Sequence, residues 1–268
     1  MKYAEVPVGP EAGGGVRCWW SLTDDTGPPA AAEPALPDGS PELIVNLGDP
    51  FEQVAADGRV TRQPAAFLVG QITRPMTVRP TGRVALVALR LEAHGAAPLL
   101  RDASRLTDRW CALAELGVTD AEPLLQRLRA TATPAAQAAQ LLAWYLERGA
   151  AAPAPDPAVV AAVRALRASH GGVALEGLCR DLGLTPRTLQ RRFRPAVGIS
   201  PKLLARIIRF QRIFREWRER PSGLARVAVA SGYFDQSHMI RDFRQFAGAP
   251  PADFLAALPR FTEFFLPR

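Results

Sequence analysis

A fifty-residue echo near the C-terminus constrains this chain most. Arg191-Arg192-Phe193-Arg194 recurs as Arg241-Asp242-Phe243-Arg244, and Gly198-Ile199-Ser200-Pro201 as Gly248-Ala249-Pro250-Pro251. The pairs Arg191/Arg241, Phe193/Phe243, Gly198/Gly248 and Pro201/Pro251 keep one offset, as expected of a structural unit used twice. Each copy follows a short apolar segment and a Gly-containing turn, and carries polar and basic residues at helical spacing. That is the layout of a helix-turn-helix, whose second helix enters the DNA major groove. Two such units on one frame predict sequence-specific binding of double-stranded DNA.

The residues around the echo fill in the plan. A helix is expected from about Asp156 to His170, with Val159, Val163 and Leu166 on its apolar face and Gly171-Gly172 ending it. Leu175, Leu178, Cys179 and Leu182 read as the first helix of the first unit and Gly183 as its turn. Thr185 and Pro186 then read as N-cap and first residue of a reading helix ending near Phe193. Ser200-Pro201 opens a long connecting helix whose apolar residues Leu203, Ile207, Phe210, Phe214 and Trp217 alternate steps of four and three, and Pro221 ends it. Arg212/Glu216 and Arg215/Glu219 lie at i,i+4 on its surface. Roughly nineteen residues at about 1.5 Å each span about 28 Å, comparable with the ~34 Å between groove segments on one DNA face. In the second unit Leu224, Val227, Ala228 and Ala230 form the first helix and Gly232 the turn. Asp235 is the expected N-cap of a helix ending near Phe246.

Charge supports the same reading. Residues 157–258 hold 17 Arg and Lys against 7 Asp and Glu, whereas residues 1–156 hold 14 against 18. A basic domain behind an acidic remainder is the footprint of a polyanion binder. Cys18, Cys111 and Cys179 form no pair at metal-ligand spacing, and an odd count fits reduced thiols in a cytoplasmic protein. No basic-then-apolar leader and no apolar run of membrane-spanning length are present, so neither a signal peptide nor a membrane partner is expected.

Residues 1–95 read as mostly β. Glu42–Leu47, Ala66–Val69 and Arg83–Leu89 are short apolar or alternating runs bounded by Gly and Pro, the pattern of a sandwich or small barrel. Gly27 to Pro37, with Pro28, Pro29 and Pro34, reads as a loop. From 99 to 148 the spacing turns helical: Leu106, Trp110, Leu113 and Leu116 share one face, and Leu124, Leu125 and Leu128 follow Pro123. A third helix begins after Thr133-Pro134 and carries Leu141, Leu142, Tyr145 and Leu146.

The C-terminal residues resemble the AraC/XylS family of bacterial transcription regulators. The resemblance lies in Pro186–Arg194, in Gly198-Ile-Ser-Pro201 and in Gly232-Tyr-Phe-Asp-Gln-Ser-His-Met-Ile-Arg-Asp-Phe-Arg244, and it covers roughly 157–258. It implies seven helices, two helix-turn-helix units and contact with two major-groove segments. The N-terminal region is similar to a sensor-like domain attached to one group of these regulators, through Trp19-Trp20, Leu36-Pro37-Asp38-Gly39, Glu42-Leu43 and Arg79–Arg83. Where such proteins often carry a Pro-Gly-Gly-Ala-like turn, this chain has Ala93-His94-Gly95-Ala96.

Helical spacing puts Arg187, Gln190, Arg191 and Arg194 on one face and sends Leu189 and Phe193 to the core. Arg suits guanine O6/N7 and Gln suits adenine N6/N7 in bidentate contacts. The resemblance assigns base contacts to Arg187, Gln190 and Arg191; Arg194 is left between a phosphate clamp and a solvated side chain. In the second unit Gln236, Ser237 and Arg241 occupy the matching face. His238 is left between a phosphate contact and packing against the turn. Arg206 and Arg209 on the connecting helix are expected to brace the units through ion pairs.

The expected fold is thus an α+β multidomain chain: a β-rich barrel or sandwich with appended helices, then an all-α domain of two helix-turn-helix units joined by a long helix. Expected boundaries are 1–148 for a sensor or dimerisation domain, 149–157 for a Pro/Ala linker, 158–258 for the DNA-binding domain and 259–268 for a tail. The expected function is a transcription regulator, not an enzyme, with no cofactor and an unidentified small-molecule effector in the N-terminal domain. RNA polymerase and a second copy of the chain are further candidate partners. Two rivals stand beside it: a metal-binding or enzymatic barrel tethered to a DNA-binding domain, and a ligand-independent dimeric regulator. The first rival lacks a His/His/Glu cluster, since His94 is the only histidine of the first half.

Overall fold

The computed structural model describes residues 1–9, 15–25, 31–219, 223–256, 258, 262–263 and 266. In chain order the strands are β1 (Lys2–Pro7), β2 (Val16–Asp24), β3 (Glu33–Ala35), β4 (Glu42–Asn46) and β5 (Phe51–Val54), then β6 (Val60–Arg62), β7 (Ala66–Val69), β8 (Met76–Pro80), β9 (Val84–Leu91) and β10 (Trp110–Ala112). They form two antiparallel sheets, ordered β1-β2-β9-β4-β7-β10 and β3-β8-β5-β6. The sheets do not close into a barrel; the sandwich alternative holds.

Strand β9 explains how the layers stack. Alternate residues of a strand face opposite sides. Leu86 and Ala88 face the second sheet together with Trp20, Leu22, Phe51 and Val78. Val87, Leu89 and Leu91 face two helices, α1 (Ala121–Arg129) and α2 (Pro134–Ala151), and meet Leu124, Leu128, Leu141 and Trp144. Covered on both sides, β9 reads as a nearly unbroken apolar run rather than an alternating one. The α2 helix starts as expected, with the Thr133 hydroxyl accepting from the Ala136 amide at 3.3 Å.

The C-terminal helices are α3 (Pro157–Ala168), α4 (Leu175–Asp181), α5 (Pro186–Val197), α6 (Pro201–Glu219), α7 (Leu224–Ala230), α8 (Gln236–Ala247) and α9 (Pro251–Ala256). They surround a core centred on Phe193, Phe210, Phe214, Phe243 and Phe246. Phe210 touches Phe214, Phe243 and Phe246 with ring centroids 5.2–5.4 Å apart. Such offset and edge-on pairs suit aromatic quadrupoles.

Several expectations need correction. Pro34, read as part of a loop, lies in β3, which pairs only with β8 at the sheet edge. An edge strand tolerates a residue without an N–H. Residues 27–30 of that expected loop lie outside the described residues, as does Pro221. Leu106, Trp110, Leu113 and Leu116 do not share a helix. Two short 3₁₀ turns flank β10, where Trp110 pairs with Val69, and Asp108 takes a left-handed φ of 58° that breaks any helix. Pro123 lies inside α1 rather than before it. The first reading helix runs four residues past Phe193, with Pro195 tolerated near its end and Gly198 capping it at a φ of 94°. Helix α2 continues to Ala151, into the segment read as linker.

Candidate nucleic-acid interface

The second helices of the two units, α5 and α8, are built by matching local devices. Thr185 caps α5 by accepting the Thr188 amide at 3.2 Å, and Asp235 caps α8 by accepting that of His238 at 2.7 Å. Gly198 and Gly248 close the helices in the left-handed region and donate to Arg194 and Arg244 carbonyls at 2.8 and 3.0 Å. A side chain at either φ would be strained, so glycine recurs there. Leu189 with Phe193 and Met239 with Phe243 turn each helix onto the core.

The opposite faces point to solvent. Arg187, Gln190, Arg191 and Arg194 are all exposed on α5; Ser237 and Arg241 are exposed on α8, where Gln236 and His238 are partly buried. The His238 ring meets Tyr233 edge-on at 5.1 Å, so it packs against the turn. No ion pair is seen for Arg187, Arg191, Arg194 or Arg241 among the described residues, which leaves four guanidinium groups presented outward.

Helix α6 joins the units over 19 residues. Arg206 braces the second unit, reaching the buried Asp242 carboxylate at 2.7 Å and the Gln245 side chain at 2.6 Å. Contrary to expectation, Arg209 pairs with no carboxylate among the described residues. It donates to the Gly171 carbonyl at 2.5 Å and lies 5.7 Å from the centre of the Tyr233 ring. The surface pairs Arg212–Glu216 and Arg215–Glu219 form at 3.0 and 3.9 Å.

A cavity of about 90 Å³ lies in the N-terminal domain, lined by apolar and aromatic residues such as Trp20, Ile44, Phe51, Phe67 and Met76. Asp38, Glu42 and Arg90 supply its polar end. Arg90 reaches Glu5 and Glu42 at 2.9 Å each and Asp38 at 3.2 Å. Burial pushes the Glu42 carboxyl up while Arg90 pulls it down and Asp38 raises it. Burial works against the Arg90 charge, but Glu42 and Asp38 hold its pKa well above the ordinary value. Burial also drives the Cys18 thiol up to about 12, which suits a core residue rather than a nucleophile.

One short turn connects this cavity to α6. Leu36 lines the cavity and also packs into the C-terminal core. The Pro37 carbonyl accepts from Gln211 of α6 at 2.5 Å, and the Gly39 carbonyl from Arg167 of α3 at 3.0 Å. Ser40 accepts from Arg17 and Arg167 at 2.9 and 3.2 Å, and Glu92 pairs with Arg167 at 3.0 Å. A Cβ on Gly39 would stand 2.8 Å from the Leu204 side chain of α6, and φ there is +77°. Only glycine lets the turn approach α6 so closely. In the sequence Pro37-Asp38-Gly39 reads only as a turn signal before the Glu42–Leu47 run, and nothing near it points to α6. The Arg206–Asp242 brace was half-anticipated, and the mismatch of Arg192 with Asp242 in the echo was the available clue. Among the described residues no group of three or more His, Cys, Asp or Glu is placed to hold a metal ion, and no helix is long and apolar enough to cross a membrane.

Residues 178–257 match a family model described as a helix-turn-helix domain, and residues 14–112 match one described as a domain of unknown function, DUF6597. No curated protein matches the chain. Among solved structures, ToxT from Vibrio cholerae (P21 form) is 8% identical, with 96% of this chain and 98% of that chain covered at a TM-score of 0.47. ToxT from Vibrio cholerae O395 bound to (E)-4-(8-methylnaphthalen-1-yl)but-3-enoic acid is 10% identical, with 89% and 98% covered at a TM-score of 0.48. The AraC-like transcriptional activator CuxR is 16% identical, with 76% and 75% covered at a TM-score of 0.26.

Proposed function

We propose that the chain, which carries a helix-turn-helix domain over residues 178–257 behind a DUF6597 domain over 14–112, is a DNA-binding transcription regulator that reads two adjacent major-groove segments with sequence specificity. The observation that carries this reading is the pair of capped helices, one on each side of α6, whose outward faces present unpaired arginines beside Gln and Ser. Base reading falls to Arg187, Gln190 and Arg191 on α5 and to Gln236, Ser237 and Arg241 on α8. Arg194 serves as a phosphate contact at the edge of α5, while His238, whose ring packs on Tyr233, steadies the turn before α8. In this reading 158–258 is the DNA-binding domain, 1–148 the sensor and 149–157 the link between them. The protein works in the cytoplasm without catalysis of its own, and RNA polymerase and a second copy of the chain are its further partners.

The test is selection of sheared genomic DNA by the full-length protein at near-physiological salt, beside the Gln190→Ala/Arg241→Ala double variant. A shared motif spanning two groove segments, lost in the variant, is the expected result. Recovery of bulk DNA alone, equal for both proteins and abolished by salt, would sink the reading.

The N-terminal cavity supports an effector role. At about 90 Å³ it is smaller than the apolar cavity of about 150 Å³ that takes benzene, so it suits only a very small, mostly apolar molecule. An occupant touching Leu36 or Asp38 presses on the turn that hydrogen-bonds α6 and α3. Effector binding then changes how the reading helices are held. Small hydrophobic metabolites should include one that raises Tm saturably and shifts DNA affinity. A rise that survives the cavity-filling substitution Ile44→Phe would place the ligand elsewhere.

A further inference from the structure

The two units are not identical at their turns. Leu184 and Tyr233 play the same part: the Leu184 amide donates to Cys179, that of Tyr233 to Ala228, and both side chains pack on the core. Up to that point the units align with an offset of 49, as Gly183 and Gly232 do, with φ of +63° and +85°. At the N-caps, Thr185 and Asp235, the offset is 50. One residue has been inserted between them in the second unit, and it is Phe234.

Phe234 has no part in the fold. It is 91% exposed, the most exposed of the large hydrophobic residues among those described. Val229, across the same turn through the Gly232 amide to Val229 carbonyl bond of 3.0 Å, is 67% exposed. Phe234 is therefore presented immediately before the N-cap of α8, the helix that carries Gln236, Ser237 and Arg241, with the exposed Val229 on the preceding helix. The adjacent Asp235 carboxylate is engaged by the His238 amide. The N-terminal end of a reading helix is the part that meets base edges. The apolar feature of the major groove is the C5-methyl group of thymine, which side chains such as Phe contact directly.

We infer that Phe234 reads DNA, its ring packing on a thymine methyl beside the bases read by α8. The inference rests on the DNA-reading function proposed above. It gives the second half-site a thymine preference for which the first unit has no counterpart, because its turn lacks the extra residue. The contact is uncharged, so it adds discrimination without adding to the salt-dependent attraction for any duplex.

The experiment uses the full-length protein and a duplex bearing the motif that the wild type selects from sheared genomic DNA. Each thymine in and beside the second half-site is replaced in turn by uracil, which deletes only the methyl group. The wild type should weaken about five- to tenfold at one position, in the lower part of the range for a lost base contact. Phe234→Ala should weaken by a similar factor on the thymine duplex and be indifferent to uracil at that position, the mark of a shared interaction. Phe234→Leu should keep part of the effect, and Tm should not move in either variant, since the ring is exposed.

Wild-type affinity in Phe234→Ala, or equal weakening on selected and random duplexes, would overturn the inference. So would a drop in sedimentation mass in Phe234→Ala, which would seat the ring on a second copy instead. If the motif is lost in Gln190→Ala/Arg241→Ala but untouched in Phe234→Ala, only the Phe234 assignment falls. If the wild type selects no motif, the DNA-reading function falls with it.

Discussion

The two helix-turn-helix units share caps, core phenylalanines and closing glycines, yet they are anchored differently. The difference is sharpest where the echo fails. Arg192 is 44% exposed and reaches Asp156 at 3.7 Å near the start of α3. Its counterpart, Asp242, is buried and clasped by Arg206, whose guanidinium also lies 5.2 Å from the centre of the Phe246 ring. The second unit is thus locked to α6 from within its own domain. The first is steadied from outside, by the Thr107 hydroxyl donating to the Gly198 carbonyl at 2.7 Å. A repeated local plan leaves each copy free to take its support from a different neighbour, so the N-terminal domain has a direct hold on the cap of one reading helix.

Substitutions at matched positions can break that comparison. Phe193→Ala and Phe243→Ala remove equally buried rings and should each cost about 3–5 kcal/mol, measured by denaturant unfolding; clearly unequal costs would mean the units are not packed alike. Asp242→Ala strands a partly buried guanidinium and should cost about 2–3 kcal/mol, below the value for a fully buried pair because Arg206 retains some solvent. Thr107→Val should cost about 1 kcal/mol and alter affinity for the first half-site alone. An equal effect on both half-sites would deny the first unit its separate anchor. Arg192→Ala, at the position matching Asp242, should cost under about 1 kcal/mol, as exposed pairs do.

The smallest effect concerns pH at the contact between domains. His94 is buried with its Nδ1 unpartnered, and burial lowers its pKa, with Glu92 raising it and Arg167 lowering it further. A depressed histidine adds stability that is fully present above its unfolded pKa of about 6.5 and fades as pH falls toward the folded value. The wild type should therefore lose more Tm than His94→Asn between pH 7.5 and 5.5. Parallel losses would remove His94 from the account.

Much of the second half was legible because its determinants are local. Thr185 and Asp235 lie within a few residues of the amides they cap, and Leu189 with Phe193 or Ile207 with Phe210 and Phe214 mark buried faces by spacing alone. The stretch from Leu106 to Leu116 misled for the same reason. Its three-and-four spacing fits a helix, but Trp110 is drawn into a strand by Val69, 41 positions earlier. Pro34 suggested a loop because nothing nearby says that β8 offers it an edge.

What the sequence by itself determined is therefore the doubled reading unit, its caps, its outward basic face and the change from β to α. Those follow from hydrogen bonds and side-chain spacing within one or two helical turns. What only the tertiary structure decided is how the parts hold one another: the brace of Arg206 on Asp242 across 36 positions, the Pro37 carbonyl on Gln211 across 174 and the Gly39 carbonyl on Arg167 across 128. A buried charge or carbonyl needs a partner wherever the chain can supply one, and periodicity carries no record of partners so distant.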